Sequence, residues 1–380
     1  MSVNLAEIPR LMTDKQSENS VFRILDATIN RAGEGIRVVE DYVRMELGAQ
    51  YLARELKQLR HDLTESVSSI DPVQRIAARD SVGDVGRTIQ VESEYRRDQI
   101  PGADSLDPSP PHQPSGGMIQ ANMTRAQQAL RTIEEFSKTL DGGIATAVEQ
   151  LRYRAYTIEK SVLTTVVSLQ NLAEANLYAL IDGRHAESDQ AAGLLKLVKQ
   201  LVDAEVSIIQ LRDKTMTDRQ LVEAGQAITK ITRGSQTRFI MNDRADLAVA
   251  VNADGVHLGQ HDLSVSAARR VVGASKMIGV STHSIEQARQ AVLDGANYIG
   301  VGPVFASSTK QFKTHVGLEL VKSVAEEVRL PAFAIGGIDL QNVRDVVDAG
   351  MRRVAVSAAL VNADQPGAVA KQFNSALVKR

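Results

Sequence analysis

The chain has 380 residues, 43% hydrophobic and 24% charged, with a formal net charge of −2. That length points to two domains with apolar material for real cores, the charge argues against a nucleic acid held through its phosphates, and the absence of cysteine excludes disulfides and thiolate metal sites. With no tryptophan, 4% aromatic residues and no apolar run of membrane length, neither stacking platforms nor membrane spans are expected, and the chain reads as cytoplasmic.

Residues 1 to about 20 are polar and read as a frayed start. From 21 to 70 the pattern is helical: Ile24, Ala27, Ile36, Val39, Val43 and Leu47 share one face, and Leu52, Leu56, Leu59 and Leu63 predict a second helix packed on the first, stopped at Asp71-Pro72. A weak internal repeat follows. Arg31, Arg37, Glu40, Asp41 and Tyr42 recur as Arg125, Arg131, Glu134, Glu135 and Phe136 at an offset of 94, and Leu59-Arg60 recurs as Leu151-Arg152 at an offset of 92. Two related helical hairpins are therefore expected, differing by a short gap before their second helices. Arg and Glu three residues apart share a helix face, so a structural ion pair is the simpler reading and a ligand-facing role the alternative. Between the copies, residues 78–87 (ARDSVGDVGR) mix glycine, acids and arginines in a composition that suits a phosphate or a metal, without matching a P-loop or dinucleotide fingerprint. Residues 101–117 read as a flexible excursion.

The stretches NRAGEGIRVVEDYVR, LKQLRHDL and RDSVGDVGR resemble a helical domain fused ahead of thiamine-phosphate synthases in some bacteria. A hydroxymethylpyrimidine-phosphate kinase activity is attributed to that family. The resemblance implies that residues 1–170, a mainly helical domain, make the diphosphate which the rest of the chain consumes. A scaffold or dimerisation role is the alternative, and nothing in the spacing shows ATP binding.

In the second domain, residues 171–380, the rhythm changes to short apolar strands alternating with amphipathic helices. Strands are predicted at 177–182, 206–214, 238–243, 255–260, 277–281, 298–305, 332–338 and 353–360, with helices at 191–204, 218–232, 264–272, 285–294 and 318–328. Eight such units predict an α/β protein whose second half is a closed (β/α)8 TIM barrel. An open doubly wound sheet is the alternative, weakened by the missing glycine fingerprint after LYALID.

In such a barrel the strand ends share one site. Strand two ends in Gln210, Arg212 and Lys214, whose alternate side chains point the same way, and two cations so close need an anion. Strand three ends in Asn242-Asp243 and the loop after strand four carries Asp262, a carboxylate pair that suits Mg2+ when phosphate oxygens supply further ligands. Strand five ends in Ser281, and strand six runs into Ser307, Ser308, Thr309 and Lys310, where hydroxyls and an ammonium can meet a phosphate or diphosphate. Strands seven and eight end in Gly336-Gly337 and Ser357-Ala358, where backbone N–H groups can approach a second phosphate. The plainer readings are helix caps for Asp243 and Asp262, ion pairs with Asp213 or Asp218 for Arg212 and Lys214, and a structural hydrogen bond for His257. His283 and His315 lie in loops without a partner that the sequence names. No nucleophile–base pair stands out.

QLRDK, MND, GVHLGQHD, GVSTHS, GPVFASSTK, AIGGI and VSAAL follow one another in the order and spacing of thiamine-phosphate synthases, across nearly all of residues 176–362. The resemblance implies that Gln210, Leu211, Arg212, Asp213, Lys214, Asn242, Ser281 and Lys310 bind a pyrimidine diphosphate, with Arg212, Lys214 and Lys310 stabilising its departure. It implies Mg2+ at Asp243 and Asp262, and a thiazole phosphate at Ser307, Ser308, Thr309, Gly337, Ser357 and Ala358. The family's Thr-x-Thr-Lys is Ser-Ser-Thr-Lys here, which keeps the hydroxyls. Two small molecules are thus the expected partners, without nucleic acid or membrane; a homo-oligomer is left open. A thiazole tautomerase on the same barrel, or a non-catalytic sensor of thiamine intermediates, are the competing readings. Neither needs the cations and carboxylates together.

Overall fold

The computed structural model describes residues 8–80, 116–183, 190–306 and 316–378. The chain divides into two compact units, Met1–Tyr42 with Arg54–Glu159, and Val43–Ala53 with Lys160–Arg380.

The first unit is helical, drawing on α1 (Ile8–Asp41), α2 (Gln50–Ser66), α3 (Pro72–Ala77), α4 (Gly116–Ser137) and α5 (Gly142–Asn171), with a π-helical turn at Tyr42–Glu46 after α1. The start expected to fray is helical from Ile8 on: Pro9 falls in the first turn, where its missing N–H costs nothing, and strong helix formers follow it. Asp71 caps α3, its carboxylate accepting the Val73 N–H at 2.8 Å, with Pro72 at the first helical position. Both hairpins bury their apolar stripes, Leu25, Ile36, Leu56 and Leu59 in one, Ile119, Met123, Leu130 and Ile133 in the other. The repeat extends to the ion pairs. Arg60 Nε meets Glu40 Oε2 at 3.0 Å, and its counterpart Arg152 Nε meets Glu134 Oε2 at 2.9 Å. Arg37 pairs with Asp41 at 3.0 Å, and Arg131 with Glu135 at 2.6 Å. The Arg60 and Arg152 pairs join two helices and the Arg37 and Arg131 pairs brace one helix each, structural ion pairs as in the simpler reading. Residues 81–87 and 101–115 lie outside the described residues.

The second unit closes eight parallel strands into a barrel, with β1 paired to both β2 and β8. The strands are β1 (Leu177–Ile181), β2 (Ile208–Leu211), β3 (Arg238–Asn242), β4 (Gly255–Leu258), β5 (Met277–Thr282), β6 (Tyr298–Val301), β7 (Ala332–Ile335) and β8 (Val354–Val356). All eight predicted strands are present. Several end three or four residues early because the chain leaves the ladder there to form the loops at the barrel mouth. Around them lie α6 (Gln190–Asp203), α7 (Asp218–Thr232), α8 (Ala245–Ala250), α9 (Val265–Val272), α10 (Ile285–Asp294), α11 (Gly317–Glu327), α12 (Val343–Asp348), α13 (Ala358–Val361) and α14 (Pro366–Leu377). The helices that the sequence leaves unpredicted include α8, α12 and α13, of six, six and four residues, too short to show a period of 3.6. Inside the barrel, Tyr178, Ile208, Ile240, Met277, Tyr298, Phe333 and Ala355 form one cluster that fills its lower part. Among the described residues no helix is long and apolar enough to cross a membrane.

Candidate active site

Above that cluster, at the carboxyl ends of the strands, opens a cavity of about 910 Å3. Gln210, Arg212 and Lys214 keep the inward parity of β2 and line it. Leu211 and Asp213 have the opposite parity and do not. Leu211 is buried, and Asp213 holds the loop, accepting backbone N–H groups from Gly183 (2.7 Å), Thr215 (2.6 Å) and Met216 (2.8 Å). Burial alone would raise the Asp213 carboxyl; the Thr215 hydroxyl, donating at 2.7 Å, and then these N–H groups outweigh it and hold the group below the usual range. The strand-two cations are thus set by a built loop. Asp218 pairs with Arg244 at 2.6 Å and not with Arg212 or Lys214.

Asn242 and Asp243 line the cavity at the end of β3. Asp243 has φ +59°, and the Arg244 N–H closes a three-residue turn onto the Asn242 carbonyl at 2.7 Å. A non-glycine residue in that conformation is strained, and such strain gathers where a side chain must be aimed. Here it aims the carboxylate at Asp262, whose Oδ2 accepts the Gly259 N–H at 2.7 Å. Burial, and then the hydrogen bond and charge of Asp262, push the Asp243 carboxyl up to about 6, against the pull of Lys214 and Arg212. The two carboxylates therefore face one another across the mouth. Among the described residues no cluster of three or more His, Asp or Glu side chains could hold a metal by itself.

On the far wall Gly336 and Gly337 have φ of +103° and +64°, and a Cβ on Gly337 would collide with the Ala306 carbonyl oxygen. Ser357 and Ala358 line the cavity beside them at the start of α13. Ser307, Ser308, Thr309, Lys310 and His315 lie outside the described residues. His283 does have a partner: its Nδ1 lies 2.5 Å from the Gly302 carbonyl oxygen.

Of the cavity floor the sequence shows Gln210, Ser281 and His257 but not Tyr178 and Tyr298, which link them. Ser281 lies 2.9 Å from His257 Nε2, and His257 Nδ1 lies 3.3 Å from the Tyr298 hydroxyl. Tyr298 and Tyr178 hydroxyls are 3.0 Å apart, and Gln210 donates to Tyr178 at 2.6 Å. His257 is a hydrogen-bonded residue of β4, as its plainer reading has it. Tyr178 shares the inward parity of its strand, which was the one signal available for it.

A closed barrel whose mouth gathers cations, facing carboxylates and a glycine turn is an enzyme architecture suited to phosphorylated ligands. The family described as thiamine monophosphate synthase matches residues 177–360, and the ThiD2 family matches residues 23–105 and 108–161. The thiamine-phosphate synthase of Rhodopirellula baltica is 42% identical, over 93% of this chain and 91% of that one. That of Nostoc punctiforme is 38% identical over 96% of both. A solved thiamine phosphate pyrophosphorylase from Pyrococcus furiosus, 30% identical, covers 54% of this chain and 96% of its own, with a TM-score of 0.48. The chain belongs to the thiamine-phosphate synthase family.

Proposed function

We propose that the barrel joins 4-amino-2-methyl-5-(diphosphooxymethyl)pyrimidine to a thiazole phosphate, carboxylated or not, giving thiamine phosphate and diphosphate, and CO2 where the carboxylate is present. The observation that carries this is the convergence of Arg212, Lys214, Asn242 and the Asp243–Asp262 pair on one cavity wall, with Gly337, Ser357 and Ala358 on another. One wall suits a diphosphate and the other a phosphate, so donor and acceptor can lie side by side.

The C–O bond between methylene and diphosphate breaks and its electron pair leaves with the diphosphate. The thiazole nitrogen then gives its lone pair to the methylene carbon. Arg212 and Lys214 bind the growing negative charge, and the resemblance adds Lys310 from the loop after β6. Gly337, Ser357 and Ala358 hold the acceptor's phosphate, to which the resemblance assigns Ser307, Ser308 and Thr309 as well, and this keeps the two rings in line. With an uncarboxylated acceptor no proton need move; a carboxylated one loses CO2 from the ring carbon between nitrogen and sulfur, and the electron pair left there takes a proton from water.

The carboxylate pair fits Mg2+: two facing acids that repel one another without a cation, too few to hold a metal unaided, match an ion that takes its remaining ligands from substrate phosphates and water. When bound, Mg2+ would neutralise charge on the departing diphosphate. The charged substrates and the absence of a spanning helix among the described residues agree with action in the cytoplasm. For the helical unit, whose residues match the ThiD2 family, the reading is ATP-dependent phosphorylation of the pyrimidine monophosphate. Turnover of that monophosphate by the full chain tests it; none, in a folded protein, leaves a scaffold.

Mixing both barrel substrates with Mg2+ should release diphosphate in step with thiamine phosphate, and Lys214→Ala should slow this at least ~100-fold, the scale of one lost preorganised charge contact. No diphosphate from the wild-type chain would sink the synthase reading in favour of a sensor.

A further inference from the structure

Five side chains from five strands cross the cavity floor in one hydrogen-bonded line: Gln210 (β2), Tyr178 (β1), Tyr298 (β6), His257 (β4) and Ser281 (β5). Tyr178 and Tyr298 are 2% and 0% exposed, so neither phenol can turn its proton to water. Gly279 leaves the space that the Tyr298 ring fills; a Cβ there would overlap it.

The line has a direction. Tyr178 accepts the Gln210 Nε2–H at 2.6 Å and has one proton to give, and Tyr298 is the acceptor in reach at 3.0 Å. Were Tyr298 to donate instead, the Tyr178 proton would have no acceptor among the described residues, a cost that buried hydroxyls rarely bear. Tyr298 therefore donates to His257 Nδ1, which places the imidazole proton on Nε2, facing Ser281 Oγ at 2.9 Å. The ring in this arrangement is neutral, Nδ1 accepting and Nε2 donating. Two groups are left for the cavity. Ser281 accepts from His257 and keeps its own proton. Gln210 has given one of its two Nε2–H donors to Tyr178, and its Oε1, the acceptor it can offer the cavity, has no hydrogen bond among the described residues.

We propose that this line sets the polarity of the heterocycle pocket, Gln210 as acceptor and Ser281 as donor, so that it selects a ring carrying an amino donor beside a ring-nitrogen acceptor over the 4-oxo analogue, whose N–H and C=O are reversed. Tyr178, Tyr298 and His257 are then positioning residues. The proposal rests on the reading that the pyrimidine diphosphate binds at Gln210 and Ser281.

Two measurements on the full chain test it. Nitrogen-15 NMR of the unliganded protein should show the His257 proton on Nε2, and a proton on Nδ1 would reverse the line and overturn the proposal without any substrate present. Competition against the pyrimidine diphosphate in thiamine phosphate formation without ATP, which reads the barrel site alone, by the 5-(phosphooxymethyl)-2-methylpyrimidines bearing 4-amino or 4-oxo, should show the wild type preferring the amino compound by about 100-fold, the scale of two hydrogen bonds. Tyr298→Phe should cut that preference roughly tenfold while leaving KM for the thiazole phosphate unchanged. A folded Tyr298→Phe protein with full preference overturns the proposal. If neither competitor binds the wild type, the pyrimidine reading itself falls and the proposal with it, whatever the NMR shows.

Discussion

Asp243 concentrates the strain of the barrel mouth: a left-handed backbone, a partly buried carboxyl and a second acid against it. Its raised pKa sets the direction of a pH dependence. Without metal the folded chain favours the protonated acid, so the stabilising effect is present below the ordinary carboxylate range and is lost as pH rises through about 6. The Tm in chelator should therefore fall between about pH 5 and 7, and Asp243→Asn should flatten that fall while abolishing turnover. Mg2+ must displace the same proton, so its affinity, read by calorimetry, should weaken as pH drops through about 6. A chelator Tm independent of pH across that window in both proteins would contradict the facing pair. Asp243 and Asp262 were legible in the sequence because each ends a strand or follows one. The Tyr178–Tyr298–His257 line was not, since its members sit on three strands and only closure of the barrel brings them together.

At the scale of elements, the repeat's ion pairs act as fasteners between helices. Arg152 and Glu134 side chains are only 10% and 5% exposed, so the pair's desolvation cost is already spent in the folded state. Removing Arg152 alone leaves Glu134 with Arg131, which is itself half-exposed. Arg152→Met should cost roughly 3 kcal/mol by denaturant unfolding, and Arg152→Met with Glu134→Leu distinctly less, because no charge is then left buried. A double variant as unstable as the single one would mean that packing, not charge, holds the hairpin. On the barrel, Gly337→Ala forces a side chain into a left-handed residue and against the Ala306 carbonyl. It should raise KM for the thiazole phosphate about tenfold or more, with KM for the pyrimidine diphosphate little changed. Helices of one face were readable from spacing, α7 and α10 to the residue. Strand ends were not, because a residue that leaves the ladder to face a ligand keeps the same alternation as one that stays.

For the whole chain, the barrel's closure could be read from eight strand-and-helix units, but the place where the two halves part could not. Helix α5 runs unbroken from Gly142 to Asn171, and the division into compact units falls inside it, after Glu159. Helical periodicity has no mark for such a point. The residues from 160 on bind the second unit by specific contacts: Lys160 Nζ donates to the Asp294 carbonyl at 2.8 Å, Ser161 Oγ to the Leu293 carbonyl at 3.4 Å, and Asn297 Nδ2 to Ser168 Oγ at 3.2 Å. Asn297 also accepts the Ile278 N–H at 2.9 Å and Arg269 Nη2 at 2.7 Å, so it ties the end of α5 to strand β5 and helix α9. A boundary at 170/171 cuts away the three bonds made by Lys160, Ser161 and Ser168. A fragment of residues 160–380 should therefore outlast one of residues 171–380 by on the order of 2 kcal/mol, about 4–8 °C in Tm for a chain of this size. Both fragments lack residues 43–53, so the difference isolates the ten or so residues of α5. Equal melting of the two would place the barrel's start at the later position and make the end of α5 a linker.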